Sequence, residues 1–289
     1  MLQKQTSSQS DGLTTEATQD DSKQIASFLN QDNKIHRHLD WFSALEWLGT
    51  HPFLIKRKDN AIQAVLCTTP ENEHAAWVRV FGVRKDLPPK KLWNRLLPKA
   101  IQELKDSNRR TLAALALHPW FEALLVDSGF VNRQDIIVLE WQGNLSENRS
   151  QNNDILIRRM VIEDLAMVQY IDQLAFSPIW QNSLASLTKA FKQTGISTVA
   201  LINNQIVGYQ ISTSMTIYGH LARLAVHPDY QRQGIGKGLV FNLLKRFENL
   251  GLSRVTVNTQ SDNKPSLNLY KQFNFRPTSE NIRVYETKL

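Results

Sequence analysis

The sequence predicts an α/β protein (in the wider sense that includes α+β folds) built from two domains, and three observations support this fold class. The chain has 289 residues, which corresponds to two domains at roughly 150 residues each. Apolar residues make up 42% of it and charged residues 21%, as in ordinary globular proteins. Short β-rich segments alternate with amphipathic helical segments in both halves, a pattern typical of these folds.

Two polar segments set the predicted domain boundaries. Residues 1–22 are rich in Ser, Thr and Gln, so they bury too little apolar surface to offset their ordering entropy. We predict a disordered tail there. Residues 143–153 (GNLSENRSQNN) show neither helical nor strand periodicity and are predicted to be the interdomain linker. The predicted domains therefore span residues 23–142 and 154–289.

The second half shows the regular elements most clearly. Asn203-Asn204 is a hairpin signal, Gly251 is a good helix C-cap, and Pro265 suits a first helical turn. The predicted strands are 154–159, 197–202, 205–212, 220–226 and 254–259, with one or two closing strands in 276–289. The predicted helices are 163–175, 184–193, 235–250 and 265–273.

The first half repeats this order. Its predicted strands are 53–56, 61–68, 77–83 and 112–117, and its predicted helices are 92–105 and 119–128. The offset between matching positions is 226 − 83 = 143 for Val83 and Val226, and 275 − 130 = 145 for Phe130 and Phe275. A nearly constant offset favours an internal duplication. The alternative is two unrelated α/β domains with the same rhythm.

Composition restricts the function classes. The net charge of +7 suggests an anionic partner, but no block of five basic residues occurs, so we expect no nucleic-acid partner. Apolar runs are too short for a membrane span, and the N-terminus lacks the apolar core of a secretory signal. Cys67 is the single cysteine, which excludes an intrachain disulfide. We therefore predict a cytoplasmic protein with no membrane partner.

Residues 222–238 (ARLAVHPDYQRQGIGKG) form the most informative segment. A predicted strand ends at Val226, and a Gly-containing loop then leads into a helix. Amides at a helix N-terminus lack intrahelical partners, and the helix dipole favours an anion there. Gly234 and Gly236 allow close approach of the backbone to a diphosphate, and Arg232 and Lys237 add positive charge.

The spacing of this loop matches neither a P-loop nor a dinucleotide fingerprint, since Gly238 follows Lys237 and the glycines stand at alternate positions. The pattern Gln231-x-x-Gly234-x-Gly236 resembles the signature of the GCN5-related N-acetyltransferases (GNAT). The segment LYKQFNFRPT (269–278) resembles their recurrent ending, with Asn274 where Gly is usual. The resemblance covers residues 154–289.

The resemblance implies two GNAT-like domains, each with a mixed, mostly antiparallel sheet flanked by helices. It implies acetyl-CoA as acyl donor, with its pantetheine arm along the backbone of Leu224, Ala225 and Val226 and against Asn263. An amide near Val226 would polarise the thioester carbonyl. Tyr270 would protonate the leaving thiolate as general acid. The residues implied to hold the diphosphate are Gln231, Arg232, Gln233, Gly234, Ile235, Gly236 and Lys237.

The general base is not evident from the sequence. Asn258 stands where many family members carry Glu, and an amide cannot take a proton at neutral pH. Either a water chain removes the ammonium proton, or another group such as His220 does so. The alternative for His220 is an ordinary surface histidine. Proximity alone supplies much of the acceleration, so the missing Glu does not argue against activity.

The first half departs from the pattern. Its corresponding loop, residues 84–92 (RKDLPPKKL), contains no glycine, and Pro88-Pro89 removes two amide donors. We predict a degenerate, non-catalytic copy. His36, His38 and Asp40 lie close in sequence, but no further well-spaced ligand accompanies them, so no metal site is predicted. They are interpreted as a buried polar and aromatic cluster, with a contribution to an acceptor pocket as the alternative.

The sequence therefore predicts an acetyl-CoA-dependent N-acetyltransferase in which a primary amine attacks the thioester directly. The alternative is a non-catalytic acetyl-CoA sensor or scaffold, which Asn258 motivates. The acceptor (small molecule, peptide or protein), the role of the first half in binding it, and the oligomeric state stay open. Candidate acceptor-pocket residues are Phe176, Trp180, Tyr209 and Tyr218.

Overall fold

The computed structural model describes residues 12–143, 145, 154–214 and 217–289. Helices and strands alternate along both halves. The helices are α1 (Ser22–Asn30), α2 (Pro89–Asp106), α3 (Pro119–Asp127), α4 (Leu165–Ala175), α5 (Leu184–Gln193), α6 (Ile235–Asn249) and α7 (Lys264–Gln272). The strands are β1 (Leu13–Glu16), β2 (Lys34–Arg37), β3 (Phe53–Lys58), β4 (Ala61–Cys67), β5 (Ala75–Trp77), β6 (Val80–Val83), β7 (Thr111–Ala116), β8 (Val131–Gln142), β9 (Leu156–Arg159), β10 (Ile196–Ile202), β11 (Gln205–Ser214), β12 (Gly219–Val226), β13 (Arg254–Gln260) and β14 (Arg276–Lys288).

The strands form two sheets. A five-stranded antiparallel sheet has the order β1-β3-β4-β6-β2, and a nine-stranded sheet has the order β5-β7-β14-β8-β13-β12-β11-β10-β9. Among the described strands, the parallel pairs are β5 with β7 and β12 with β13. The predicted fold class, with mixed and mostly antiparallel sheets flanked by helices, is confirmed.

The two parallel pairs occupy equivalent positions in the two halves. Trp77 pairs with Ala113, and Leu221 pairs with Val257. Each residue of the first-half pair stands the same number of positions before its counterpart in the second half, since 221 − 77 = 144 and 257 − 113 = 144. This agreement supports the internal duplication that the sequence suggested.

The two halves exchange their last strands within the large sheet. β8 comes from the first half but pairs with β13 of the second, from Arg254 opposite Gln142 to Gln260 opposite Ile136. β14 comes from the second half but pairs with β7 of the first. The sequence did not predict this exchange, so the boundaries at 142 and 154 divide the chain more sharply than the sheet does.

The predicted disordered tail is wrong for residues 12–22. β1 pairs with β3 through the backbone, Ala17 is buried, and α1 already begins at Ser22. The Glu16 carboxylate accepts hydrogen bonds from the amide of Phe53 at 3.1 Å and from the ring of His51 at 2.9 Å. Backbone pairing orders this segment although its composition is polar. Residues 1–11 of the predicted tail, and 144 and 146–153 of the predicted linker, lie outside the described residues.

Most predicted elements agree with the structure, with two differences in the first half. The predicted strand 77–83 is two strands, because β5 and β6 join different sheets. α1, β2 and β8 were not predicted; the apolar positions of α1 and β2 are few and scattered. No helix among the described residues is long and apolar enough to span a membrane. The cytoplasmic location stays a prediction.

The exchanged strand β14 should be essential to stability. Val284 on β14 is fully buried between Trp77, Ala113 and Ile136. We expect Val284→Ala to lower the free energy of unfolding by about 2 kcal/mol, through lost apolar burial and a residual cavity. Urea denaturation followed by circular dichroism measures this change. Val131→Ala, at an exposed position of β8, is the control and should change stability by less than about 0.5 kcal/mol. Equal effects of both substitutions would contradict the prediction.

Candidate functional site

The cleft of the second half begins where β12 and β13 diverge. Their parallel pairing ends at Leu221 and Val257. β12 continues to Val226 and remains paired with β11 on its other edge. Among the described strands, none pairs with residues 222–226 on the cleft side. Because the backbone groups of a strand alternate between its two edges, every second residue of this segment faces the open edge, which is where the resemblance places an extended ligand.

The glycine loop follows directly at the end of β12. Gly234 is the N-cap of α6 with φ +89°, a left-handed conformation that favours glycine. Within the described chain, the amides of residues 232–237 donate no backbone hydrogen bond. A Cβ at Gly236 would lie 3.4 Å from Cδ2 of Leu269, at ordinary contact distance. The loop thus combines unpaired amides with the positive end of the α6 dipole, a geometry suited to a phosphate group.

Side chains of the loop stabilise its turn. The side-chain Nε2 of Gln231 donates to the carbonyl of Val226 at 3.2 Å, and the side-chain Nε2 of Gln233 donates to the carbonyl of Asp229 at 3.3 Å. Arg232 is exposed and adopts φ +63°, and Lys237 is partly exposed. Both cations stand beside the unpaired amides in sequence. None of the residues 231–237 borders the cavity of about 460 Å³ that lies between the cleft and the first half.

Asn263 is the N-cap of α7 and Tyr270 lies within α7, and both border the cavity between this cleft and the first half. Asn263 caps α7: its side-chain oxygen accepts from the amide of Ser266 at 3.2 Å, and its Nδ2 donates to Gln260 at 3.4 Å. Tyr270 is 4% exposed and packs on Phe275 with ring centroids 5.4 Å apart. Burial raises the pKa of Tyr270, so its hydroxyl keeps its proton at neutral pH.

The base candidates also lie near the cleft. His220 borders the cavity, with Nδ1 2.8 Å from Oγ1 of Thr256. Burial lowers the pKa of His220, so its ring is neutral at pH 7 and able to accept a proton. Asn258 is exposed and borders the same cavity. His227 accepts from the amide of Asp229 in the turn before the loop.

One cavity of about 460 Å³ joins this cleft to the first half of the chain. Of the four predicted acceptor-pocket residues, Phe176 and Trp180 border it. Tyr209 lies behind the wall with its hydroxyl on Asp172, and Tyr218 is not among the bordering residues. The first half contributes residues that sequence analysis assigned only in part: His38, Leu39, Asp40, Trp41, Glu71, Trp77 and Arg79.

Two arginines that border this cavity are held by carboxylates. Arg223 contacts Asp172, with Nε 2.8 Å from Oδ2, and stacks 3.6 Å above the Phe176 ring. Arg79, at the same offset since 223 − 79 = 144, lies between Asp40 and Glu71. The equivalence of Arg79 and Arg223 was detectable in the sequence, because each arginine stands two residues after a paired position of the duplicated strands.

The first half lacks an equivalent cleft. β2 pairs with β6 along the edge that stays free on β12. Phe81, Trp93 and Phe121 fill the space under this strand, with ring centroids of Phe81 and Trp93 4.9 Å apart. His36, on β2, stacks on Phe121 at 3.8 Å and is buried. Pro88 before α2 and Pro89 at its first position also remove amide donors, so the described first half offers no counterpart of the open edge and the unpaired amides.

The second half is similar in sequence to known acetyltransferases. Residues 162–275 match the model of the Acetyltransferase (GNAT) family. The chain is 23% identical over 124 residues to the ribosomal protein bS18-alanine N-acetyltransferase of Escherichia coli strain K12. That match covers 43% of this chain and 82% of the relative.

Solved structures extend the likeness to the first half. A GCN5-related N-acetyltransferase from Anabaena variabilis superposes with a TM-score of 0.70 at 13% identity, covering 95% of this chain and 72% of the other. A tandem GNAT protein from the clavulanic acid biosynthesis pathway gives 0.65 at 13% identity, covering 96% and 98%. At such identities these likenesses show the fold alone. Residues 162–275 therefore match the acetyltransferase (GNAT) family, whose members are acyltransferases, and the whole chain has the fold of a tandem GNAT protein.

Proposed function

We propose that the C-terminal half binds acetyl-CoA and transfers its acetyl group to a primary amine. The observation that carries the proposal is the free edge of residues 222–226 beside the unpaired amides of residues 232–237. The amide groups of a pantetheine arm suit a strand edge, and a diphosphate suits amides at a helix N-terminus. Leu224, Ala225, Val226 and Asn263 would hold the arm.

The proposed transfer is a direct attack. The amine nitrogen forms a bond to the thioester carbonyl carbon, and the carbon–sulfur bond breaks. The amide near Val226 stabilises the negative charge on the carbonyl oxygen. The Tyr270 hydroxyl gives its proton to the leaving sulfur. The proton of the attacking nitrogen passes to His220 or to water, since Asn258 accepts none.

The first half would shape the acceptor site. The segment 176–183, between α4 and α5, is bound to it through backbone carbonyls and amides. The Asn72 amide donates to the carbonyls of Pro178 at 2.7 Å and Gln181 at 3.2 Å, and the amide of Ser183 donates to Glu71 at 2.9 Å. These contacts support a role for the non-catalytic copy as a platform for the acceptor-side loop.

Acetyl-CoA binding tests the cofactor site. Gly236→Glu places a carboxylate among amides that would hold a diphosphate, so repulsion should weaken acetyl-CoA binding at least about 100-fold, or about 2.7 kcal/mol. Isothermal titration calorimetry measures this dissociation constant. Gly143→Glu, at a position where a Cβ meets nothing within 4 Å, adds the same charge elsewhere and should leave binding unchanged. Equal affinities of both variants would overturn the cofactor site.

Tyr270→Phe tests the general acid. Removing the hydroxyl should lower kcat about 100-fold and leave the acetyl-CoA dissociation constant unchanged, because the ring still packs on Phe275. Thiol release with a panel of amines measures kcat. Tyr285→Phe is the matched control, since that hydroxyl bonds Glu122 away from the cavity. An unchanged kcat would make Tyr270 a packing residue.

Binding of acetyl-CoA without turnover of any amine would favour the sensor alternative.

Asn72→Ala tests the platform. Loss of two hydrogen bonds to the acceptor-side loop should raise KM for the amine about fivefold, with acetyl-CoA binding unchanged. Steady-state kinetics with a varied amine measure the split between KM and kcat. Asn132→Ala, exposed on β8, is the control. If the two variants share the same KM, the first half does not position the loop.

A further inference from the structure

The acceptor end of the cavity has an aromatic wall drawn from both halves. The ring centroids of Trp77 and Trp180 are 5.3 Å apart, and the His38 ring lies 4.8 Å from that of Trp77. Trp41 and Phe176 border the same cavity. Five rings from separate segments therefore converge on one space.

Hydrogen bonds fix the two central indoles in place. The Trp77 indole N–H donates to the carbonyl of Ile179 at 3.1 Å. The Trp180 indole N–H donates to Oε1 of Gln134 at 2.7 Å, and the carbonyl of Trp180 accepts from Arg223. Trp77 is 3% exposed and supports the wall from behind, so the partly exposed Trp180 ring, whose N–H is already satisfied, offers a ligand apolar surface. Rings held in one orientation lose little entropy when a ligand binds.

The charged groups at this end already have partners. Arg79 donates to Asp40 at 2.8 Å and also to Glu71, and these side chains are 4%, 7% and 6% exposed. The second oxygens of the carboxylates accept backbone amides, from Phe42 for Asp40 at 3.2 Å and from Ser183 for Glu71 at 2.9 Å.

The remaining charges at this end are also compensated. Arg223 pairs with Asp172. Burial and the nearby Arg79 hold the pKa of His38 well below its usual value, so that its ring is neutral. Among the described residues, each charged side chain bordering this wall is therefore paired, and its chemistry selects for apolar rather than charged groups.

We propose that the acceptor subsite takes an amine carried on an aromatic ring or a similarly flat apolar group. The ring lies against Trp180, which Trp77 backs, and the amino group points toward Leu224 and Tyr270, which border the same cavity. The inference rests on the proposed acetyl transfer for the role of the amine. The aromatic wall itself is independent of that chemistry.

The test compares amines by isothermal titration calorimetry on the whole protein saturated with coenzyme A, which carries no acetyl group and permits no turnover. We expect 2-phenylethylamine to bind about tenfold more tightly than 1,5-diaminopentane, because stacking on aromatic rings adds to apolar burial. Hexylamine, apolar without a ring, should fall between them. A diamine that binds as tightly as 2-phenylethylamine overturns the proposal without any variant.

A matched pair of variants locates the subsite. Trp180→Leu should weaken binding of 2-phenylethylamine about tenfold, with hexylamine and coenzyme A changed less than about twofold. Trp120→Leu is the control, because Trp120 is also partly buried but packs on Phe121 away from the cavity. The same affinity for 2-phenylethylamine in both variants overturns the assignment of the ring to this wall.

Thiol release separates this inference from the proposed function. Preferential binding of 2-phenylethylamine without thiol release supports the subsite and counts against acetyl transfer. Release of thiol with every amine at equal kcat/KM supports transfer and overturns the subsite.

Discussion

The exchange of β8 and β14 between the halves is the constraint on which the rest of the structure depends. β8 lies between β13 and β14, and β14 lies between β7 and β8, so the halves share one nine-stranded sheet. Buried side chains on both strands, such as Trp141 and Val284, secure the exchange, and Arg283 and Tyr285 bond Glu122 across it. Neither half completes its sheet without the other.

The shared sheet also explains where the cavity lies. It places the free edge of β12 and the first half's β5 on two sides of one space. The equivalent arginines, Arg79 and Arg223, both border this cavity and each pairs with carboxylates of its own half. In the described first half, β2 pairs along the edge of β6 that corresponds to the open edge of β12, and Trp77 of β5 borders the cavity instead.

The candidate site could be predicted only where local sequence governs it. The loop around Gly234 is set by glycine conformation and by the unpaired amides of a helix start, which one segment specifies. Trp77, Glu71 and Asn72 carry no local signal of their contacts, which reach residues 102 to 112 positions away. The polar composition of residues 13–16 led to the wrong prediction of a disordered tail. These residues form a strand because β3 offers a backbone partner, not because they bury apolar surface.

By itself the sequence determined the α/β class, the order of most elements, the matching spacing of the two halves and the glycine loop before α6. These follow from periodicity, turn residues and spacing, which act over a few neighbouring residues. Tertiary structure alone decided the strand exchange, the filling of the first cleft and the joint aromatic wall. Strand pairing is set by which edges meet in space, and the residue types of β8 and β14 suit either neighbour.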